Sequence, residues 1–242
     1  MQYWFDTVET IPAGLGWSHF SGYHFLWLGI MVAVCAGLAL LYRRQNAAGR
    51  QKLSKTVALL ILADEIFKMV MLALGKRYLV DYLPLHLCSI NIFVILYHAW
   101  RPTKTVDNFL YIVCIPGAMA AMLFSVWTSL PVMNFMHLHS FTIHILLIAY
   151  PVMRLAGGDI RPDIRYLPRC LALLGGLGMV ALTANLLLDT NFMFLMYAEE
   201  GNPLLLFEQW FGSHLVGFPV LMTLIVVVMY TPVYLLRKGS AK

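Results

Sequence analysis

Charge is scarce in this chain. Of 242 residues, only 12% are Asp, Glu, Lys or Arg, against 60% apolar. That excludes an ordinary soluble domain, in which about a quarter of residues are charged. Cysteine is scarce too. The four present, Cys35, Cys88, Cys114 and Cys170, form no CxxC pair, which excludes a disulfide framework and a cysteine zinc module. No internal repeat is visible, which counts against a repeat-built carrier, and no low-complexity tract interrupts the chain. The first apolar stretch follows Asp6 and Glu9 without a basic start, so no cleavable signal peptide is expected.

What is present is apolar sequence in lengths that fit a bilayer. About 20 mostly apolar residues span the hydrocarbon core as a helix. Seven stretches qualify, at roughly 23–42, 56–75, 83–100, 107–127, 134–153, 167–189 and 213–236. Six short connections and two tails take up the rest, leaving no room for a separate soluble domain. The expected fold is all-α: one polytopic transmembrane bundle of about seven helices over residues 1–242. The fourth stretch contains Pro116-Gly117, which can kink a helix and free a carbonyl. The sixth carries Gly175, Gly176 and Gly178, which allow close helix approach. Residues 190–212 are too short and broken for a further span and are expected to form a re-entrant or interface-hugging loop.

A net charge of +5 would suggest nucleic acid in a soluble chain; here its distribution suggests a membrane orientation, and no nucleic-acid partner is expected. Arg43, Arg44, Arg50, Lys52 and Lys55 follow the first stretch, and Arg101 and Lys104 the third. Arg154, Arg161, Arg165 and Arg169 surround the fifth connection, and Arg237, Lys238 and Lys242 form the tail. Only Lys76 and Arg77 lie on the opposite connections. The positive-inside rule then predicts the N-terminus outside and the C-terminus cytoplasmic. Asp6, Glu9, Asp81, Asp189, Glu199, Glu200 and Glu208 fall outside on the same topology.

Polar groups in hydrocarbon lose water and persist where they pair or work. The second stretch holds Asp64, Glu65 and Lys68, at about 2.5–3.5 kcal/mol each on insertion scales. Lys68 is i+4 from Asp64 and i+3 from Glu65, so one ammonium can serve either carboxylate. The other needs a partner elsewhere in the bundle. Seven of the eight histidines fall in the outer half on this topology: His19, His24, His86, His137, His139, His144 and His214. His19 and His24 also belong to an aromatic interface belt with Trp17 and Tyr23. His98 alone is on the cytoplasmic side.

The densest polar run in an apolar context is Leu83-Pro84-Leu85-His86-Leu87-Cys88-Ser89-Ile90-Asn91. With a rise of about 1.5 Å per residue, Cys88 lies about 8 Å into a helix begun at Leu83, and His144 about 15 Å into its own. Cys88 is expected as a free thiol, separated by depth from the other three. A thiol beside an imidazole can pass on its proton and attack an acyl group. A packing cysteine and a locally bonded histidine are the plainer alternative. His137 and His139 point apart on a helix, as do His86 and Cys88, and no spacing here matches a zinc pattern, so no metal is expected.

The Leu83–Cys88 run, His144 seven residues before Pro151, the Asn191-Phe192-Met193-Phe194-Leu195 segment and Glu65 resemble the YwaF-like integral membrane proteins of bacteria. Eukaryotic relatives of that family are described as cysteine-dependent phospholipid acyltransferases. The resemblance covers most of the chain. It departs at Ser89, where the family often has an acidic residue, and at Ile143-His144-Ile145, where it often has Ser-His-Gly.

The resemblance implies an acyl-accepting Cys88 with His144 as its partner histidine; on that reading Glu65 with Lys68 would orient or polarise the site. His86, Asn91, Asp64, His139 and Asn191 are the polar groups expected around the substrate. The function so implied is a lipid acyltransferase or transacylase, or a lipid hydrolase if water is the acceptor. It would work without a cofactor on membrane phospholipid, in a bacterial cytoplasmic membrane. The rivals are a proton- or cation-coupled carrier using Asp64, Glu65 and Lys68, and a membrane protein that binds lipid without chemistry.

Overall fold

A computed structural model describes residues 2–199 and 202–239; Glu200 and Lys242, which belong to the charge pattern above, lie outside them. The described residues are helical, with no strand. Polar side chains set where the helices start. The first helix, α1 (Gly22–Arg44), begins at Ser21, whose hydroxyl accepts from the His24 amide. The second, α2 (Ala47–Leu74), begins at Asn46, which accepts from Gly49. Such caps satisfy amides that the first turn of a helix leaves without acceptors.

The third helix, α3 (Leu87–Trp100), follows a 3₁₀ turn at Val80–Tyr82. It starts four residues later than the apolar run suggests, because Pro84 and an extended His86 hold the chain out of helix. Cys88 therefore lies in the first turn of α3. The fourth apolar stretch is helical from α4 (Lys104–Phe109) through a π-helical segment, Leu110–Cys114, to α5 (Ile115–Leu123). Pro116 can neither donate an amide nor fit against the carbonyl four residues earlier, and the wider π turn just before it accommodates that loss.

Next comes α6 (Phe135–Ala156), capped by the Asn134 carboxamide, which accepts from the Met136 and His137 amides. It packs against α1, α2, α3 and α5 and is the most enclosed of the long helices. Gly157 ends it, and a Cβ there would meet the Tyr42 ring at 2.6 Å; only glycine allows α1 to come so close. The remaining elements are α7 (Leu167–Leu188), the short α8 (Leu204–Phe211) and α9 (Gly217–Gly239). Both α7 and α9 turn long apolar faces outward, through Met179, Val180, Leu186, Leu187, Leu224, Val227 and Val228.

Among the described residues, six helical segments are long and apolar enough to cross a membrane: those built on α1, α3, the α4–α5 run, α6, α7 and α9. The expected second span falls in α2, which has the length, at 28 residues, but carries Asp64, Glu65 and Lys68 in its apolar half. The protein is an integral membrane protein with a helical fold. Residues 190–199 and 202–216 hold no spanning helix; they contain a 3₁₀ turn at Phe192–Phe194, α8 and a second 3₁₀ turn at His214–Val216.

Candidate functional site

The surplus carboxylate of α2 finds its partner on α6. Lys68 Nζ lies 2.6 Å from Glu65 Oε1, with both side chains buried. The i,i+3 spacing puts the two on one face of α2. His139 stands between the acids, with Nδ1 3.1 Å from Asp64 Oδ2 and Nε2 3.7 Å from Glu65 Oε2. Thr142, one turn along α6, donates to the Asp64 carboxylate at 3.2 Å. Two carboxylates, an ammonium and an imidazole thus form one array between two helices, and each charge has an opposite charge or a donor in reach.

His144 lies five residues beyond His139 on α6 and is buried. Its Nδ1 bonds the Ser140 carbonyl oxygen. A carbonyl only accepts, so Nδ1 carries the proton and Nε2 is left as the basic nitrogen. Trp127 stacks on the ring, with centroids 5.3 Å apart and planes 11° from parallel, fixing its orientation. His139 and Asp64 are both within electrostatic reach of His144.

On α3, Cys88 is a free, half-buried thiol in the first helical turn. His86 is the N-cap and contributes no side-chain cap, so the first amides of α3 keep their N–H groups without intrahelical acceptors. Asn91 lies i+3 from Cys88 on the same side of the helix, buried, with its Oδ1 unpartnered. Cys88 packs against the large apolar core cluster to which Trp127, Phe141, Ile143 and Ile145 also belong. No hydrogen bond joins Cys88 to His144 among the described residues. Cys114 lies within electrostatic reach of Cys88, closer than separate depths suggest, and all four cysteines are free.

His86 links this helix start to two other elements. Lys68 acts on it electrostatically, the Met193 amide points at its Nδ1 from 3.4 Å, and Phe192 and Phe194 pack on its ring at 5.3 and 5.8 Å. Met193 and Phe194 are both left-handed, at φ 59° and 56°, a conformation non-glycine residues adopt at a cost. Asn185 and Asn191 hold the loop there. Asn185 bonds the Phe192 amide and carbonyl at 2.7 and 3.0 Å and the Thr190 hydroxyl at 3.0 Å. Asn191 donates to the Tyr197 carbonyl at 3.0 Å and accepts from the Met196 and Tyr197 amides. The Asn191 carboxamide is thus engaged in folding its own loop.

The outer histidines do not gather into one cluster. His24 is spanned by the Phe20 amide and the Met122 carbonyl, and His19 bonds the Ser125 carbonyl. These two tie α1 to the end of α5. His137 turns toward α1, bonding Tyr23 at 3.0 Å, while His139 turns toward α2, as their i,i+2 spacing requires. His214 faces Glu208 from 3.9 Å beside α8.

Three participants escaped the sequence reading: Trp127, Thr142 and Asn185's role in the loop. Thr142 sits one turn from His139 at helical spacing, a signal a face-by-face reading of α6 could have used. Trp127 comes from a connection, where no periodicity points to it.

The chain matches no curated protein and no solved structure. A family model for the TMEM164 family, a family of membrane proteins, matches residues 15–230; the chain belongs to that family.

Proposed function

We propose that this protein is a membrane-embedded lipid acyltransferase or transacylase in which Cys88 is the nucleophile and His144 the base. The observation that carries this reading is the start of α3. A half-buried thiol sits in the first turn of a 14-residue helix beside uncapped amides, with the unpartnered Asn91 carboxamide one turn away. Amides at a helix start can hold the oxyanion that forms as a thiol adds to an ester carbonyl.

In the first step the thiol proton passes to His144 Nε2 as Sγ attacks the ester carbonyl of a phospholipid. The acyl C–O bond then breaks, and the departing alkoxide takes the proton to leave as a lysolipid. In the second step the hydroxyl of an acceptor lipid gives its proton to Nε2 and attacks the thioester. The Sγ–C bond breaks, and the thiolate recovers the proton. Neither step needs a cofactor. Lys68 and Glu65 orient the site through His139, and Asp64, His86 and Asn91 complete its polar lining.

An orientation with the N-terminus outside puts the Cys88 end of the bundle away from cytoplasmic acyl carriers, which favours a phospholipid donor. A bacterial cytoplasmic membrane fits this reading. The test is intact-protein mass spectrometry after incubation with phospholipid vesicles. Wild type should carry one acyl chain on Cys88 and Cys88→Ala none; an acylated, active Cys88→Ala protein rejects the mechanism.

The Asp64–His139–Glu65–Lys68 array favours a second reading, a proton-coupled carrier, because buried groups that exchange a proton mark coupling paths in membranes. Proton uptake into proteoliposomes that His139→Gln abolishes and Cys88→Ala leaves intact would select it.

A further inference from the structure

The site around Cys88 leaves the opposite end of the bundle without a role, and that end holds a second buried polar network joining α1, α2, α3, α4 and α6. His98 lies with Nε2 2.8 Å from Asp107 Oδ1 and Nδ1 3.0 Å from the Tyr150 hydroxyl. Lys104 Nζ is 3.5 Å from the other Asp107 oxygen. The Tyr42 hydroxyl donates to Asp159 and accepts from Ser54 at 3.3 Å. Arg50 Nη1 reaches Asp159 Oδ1 at 3.3 Å and the Gly157 carbonyl at 2.8 Å.

Arg154, in the last turn of α6, stands among them, only 8% exposed. Its guanidinium donates to Ser54 Oγ at 3.2 Å and lies 6.0 Å from the centroid of the Tyr150 ring. Its Nε–H is buried and has no acceptor. No carboxylate among the described residues comes within 4.0 Å of it. Asp159 is paired with Arg50, and Asp107 with His98 and Lys104. Three cations, Arg50, Lys104 and Arg154, therefore face two carboxylates.

Arginine does not shed its proton to escape burial. The nearby end of α6 supplies only a partial negative charge and the Tyr150 ring a weak attraction. Neither accepts the idle Nε–H. A buried guanidinium with a free donor edge and an excess positive charge calls for an oxyanion. Arg50, 27% exposed at its side chain, marks the side from which one can arrive.

We propose that Arg154, with Ser54 and Tyr150 beside it and Arg50 toward the surface, binds a phosphate-type oxyanion. The source is either a lipid headgroup or free phosphate. The guanidinium fork matches two oxygens of such a group at once. The end of the bundle where most basic residues gather is also where membrane headgroups lie. This site is independent of any chemistry at Cys88.

The full chain, purified in a maltoside detergent free of phosphate, is titrated in two arms, with inorganic phosphate or with dioleoyl phosphatidic acid. Chloride at matched ionic strength is the control. One arm should raise the melting temperature of wild type saturably, chloride should not, and Arg154→Met should lose the rise. A response to inorganic phosphate assigns the site to the free ion; a response to phosphatidic acid alone assigns it to a headgroup. Should Arg154→Met not fold, Arg154→Lys keeps the charge without the fork and should weaken the apparent affinity about tenfold or more. No rise in either arm, a rise unchanged in Arg154→Met, or unchanged affinity in Arg154→Lys overturns the proposal.

Discussion

Lys68 Nζ stands 2.6 Å from Glu65 Oε1, and the two side chains are 8% and 6% exposed. At that burial the ammonium compensates charge and does not merely decorate the helix. Removing one partner strands the other in low dielectric, at a cost of about 3–5 kcal/mol. Lys68→Met should therefore destabilise the protein by about that much. Lys68→Met with Glu65→Gln should recover a large part of it, because no unpaired ion remains on that face. Thermal unfolding of the two variants in one detergent checks this, and a double variant no more stable than the single would mean that the pair is not the source of the loss.

Part of this arrangement was legible in the sequence. Spacing alone predicted that Lys68 could serve only one of two carboxylates and that the other needed a partner from another helix. It also predicted that His137 and His139 would face different neighbours. Which residue supplied the partner was not legible, since His139, His144 and Thr142 all lie within two turns of α6 and only the rotation of α6 against α2 selects among them. The helical, membrane-spanning architecture followed from composition. The position of Cys88 within α3 did not, because an apolar run continues through Pro84 while the helix cannot. Arg154 read as one more basic residue of a connection, whereas it is folded inward at the end of α6.

Asn185 makes the strained Phe192–Phe194 turn affordable. Asn185→Ala leaves the buried Phe192 amide without an acceptor and its carbonyl with the Leu195 amide alone, at about 1–3 kcal/mol for the amide left unsatisfied. The expected outcome is local: faster hydrogen exchange at Phe192, Met193 and Phe194 and easier proteolysis within residues 190–199, with exchange in α6 unchanged. Exchange that rises equally throughout α6 and α7 would show instead that Asn185 supports the whole bundle.

The same loop should respond to pH. Burial holds the Glu199 carboxyl above its ordinary value of 4.5, Asp81 adds to the rise, and the Asn191 hydrogen bond opposes it. A carboxyl that titrates higher in the folded loop than in the open one stabilises the closed form at acid pH. That contribution is complete below 4.5 and is lost as pH rises through the raised value. Amide exchange in residues 190–199, corrected for its intrinsic pH dependence, should show more protection at acid pH than at neutral pH. Glu199→Gln, which keeps the neutral form, should remove the difference.

The four thiols should react unequally. Cys114 and Cys170 are fully buried, with their Sγ atoms directed at the Leu147 and Thr105 carbonyls, and Cys35 sits in the middle of α1. Cys88 is the second residue of α3, beside helix-start amides that no side chain caps and that can hold the oxyanion formed as the thiol is acylated. A lipid-like acylating probe in vesicles should label Cys88 first. His144→Ala should slow that labelling by about 10²-fold or more, the usual range for loss of a general base. Trp127→Leu should slow it less, because it loosens the imidazole without removing Nε2. Thr183→Ala, an exposed position on α7 bonded only to its own helix, serves as the control and should leave the rate unchanged. Equal labelling of all four cysteines, indifferent to His144→Ala, would make Cys88 an ordinary packing thiol, and the Asp64–His139–Glu65–Lys68 array would then be the place to look for function.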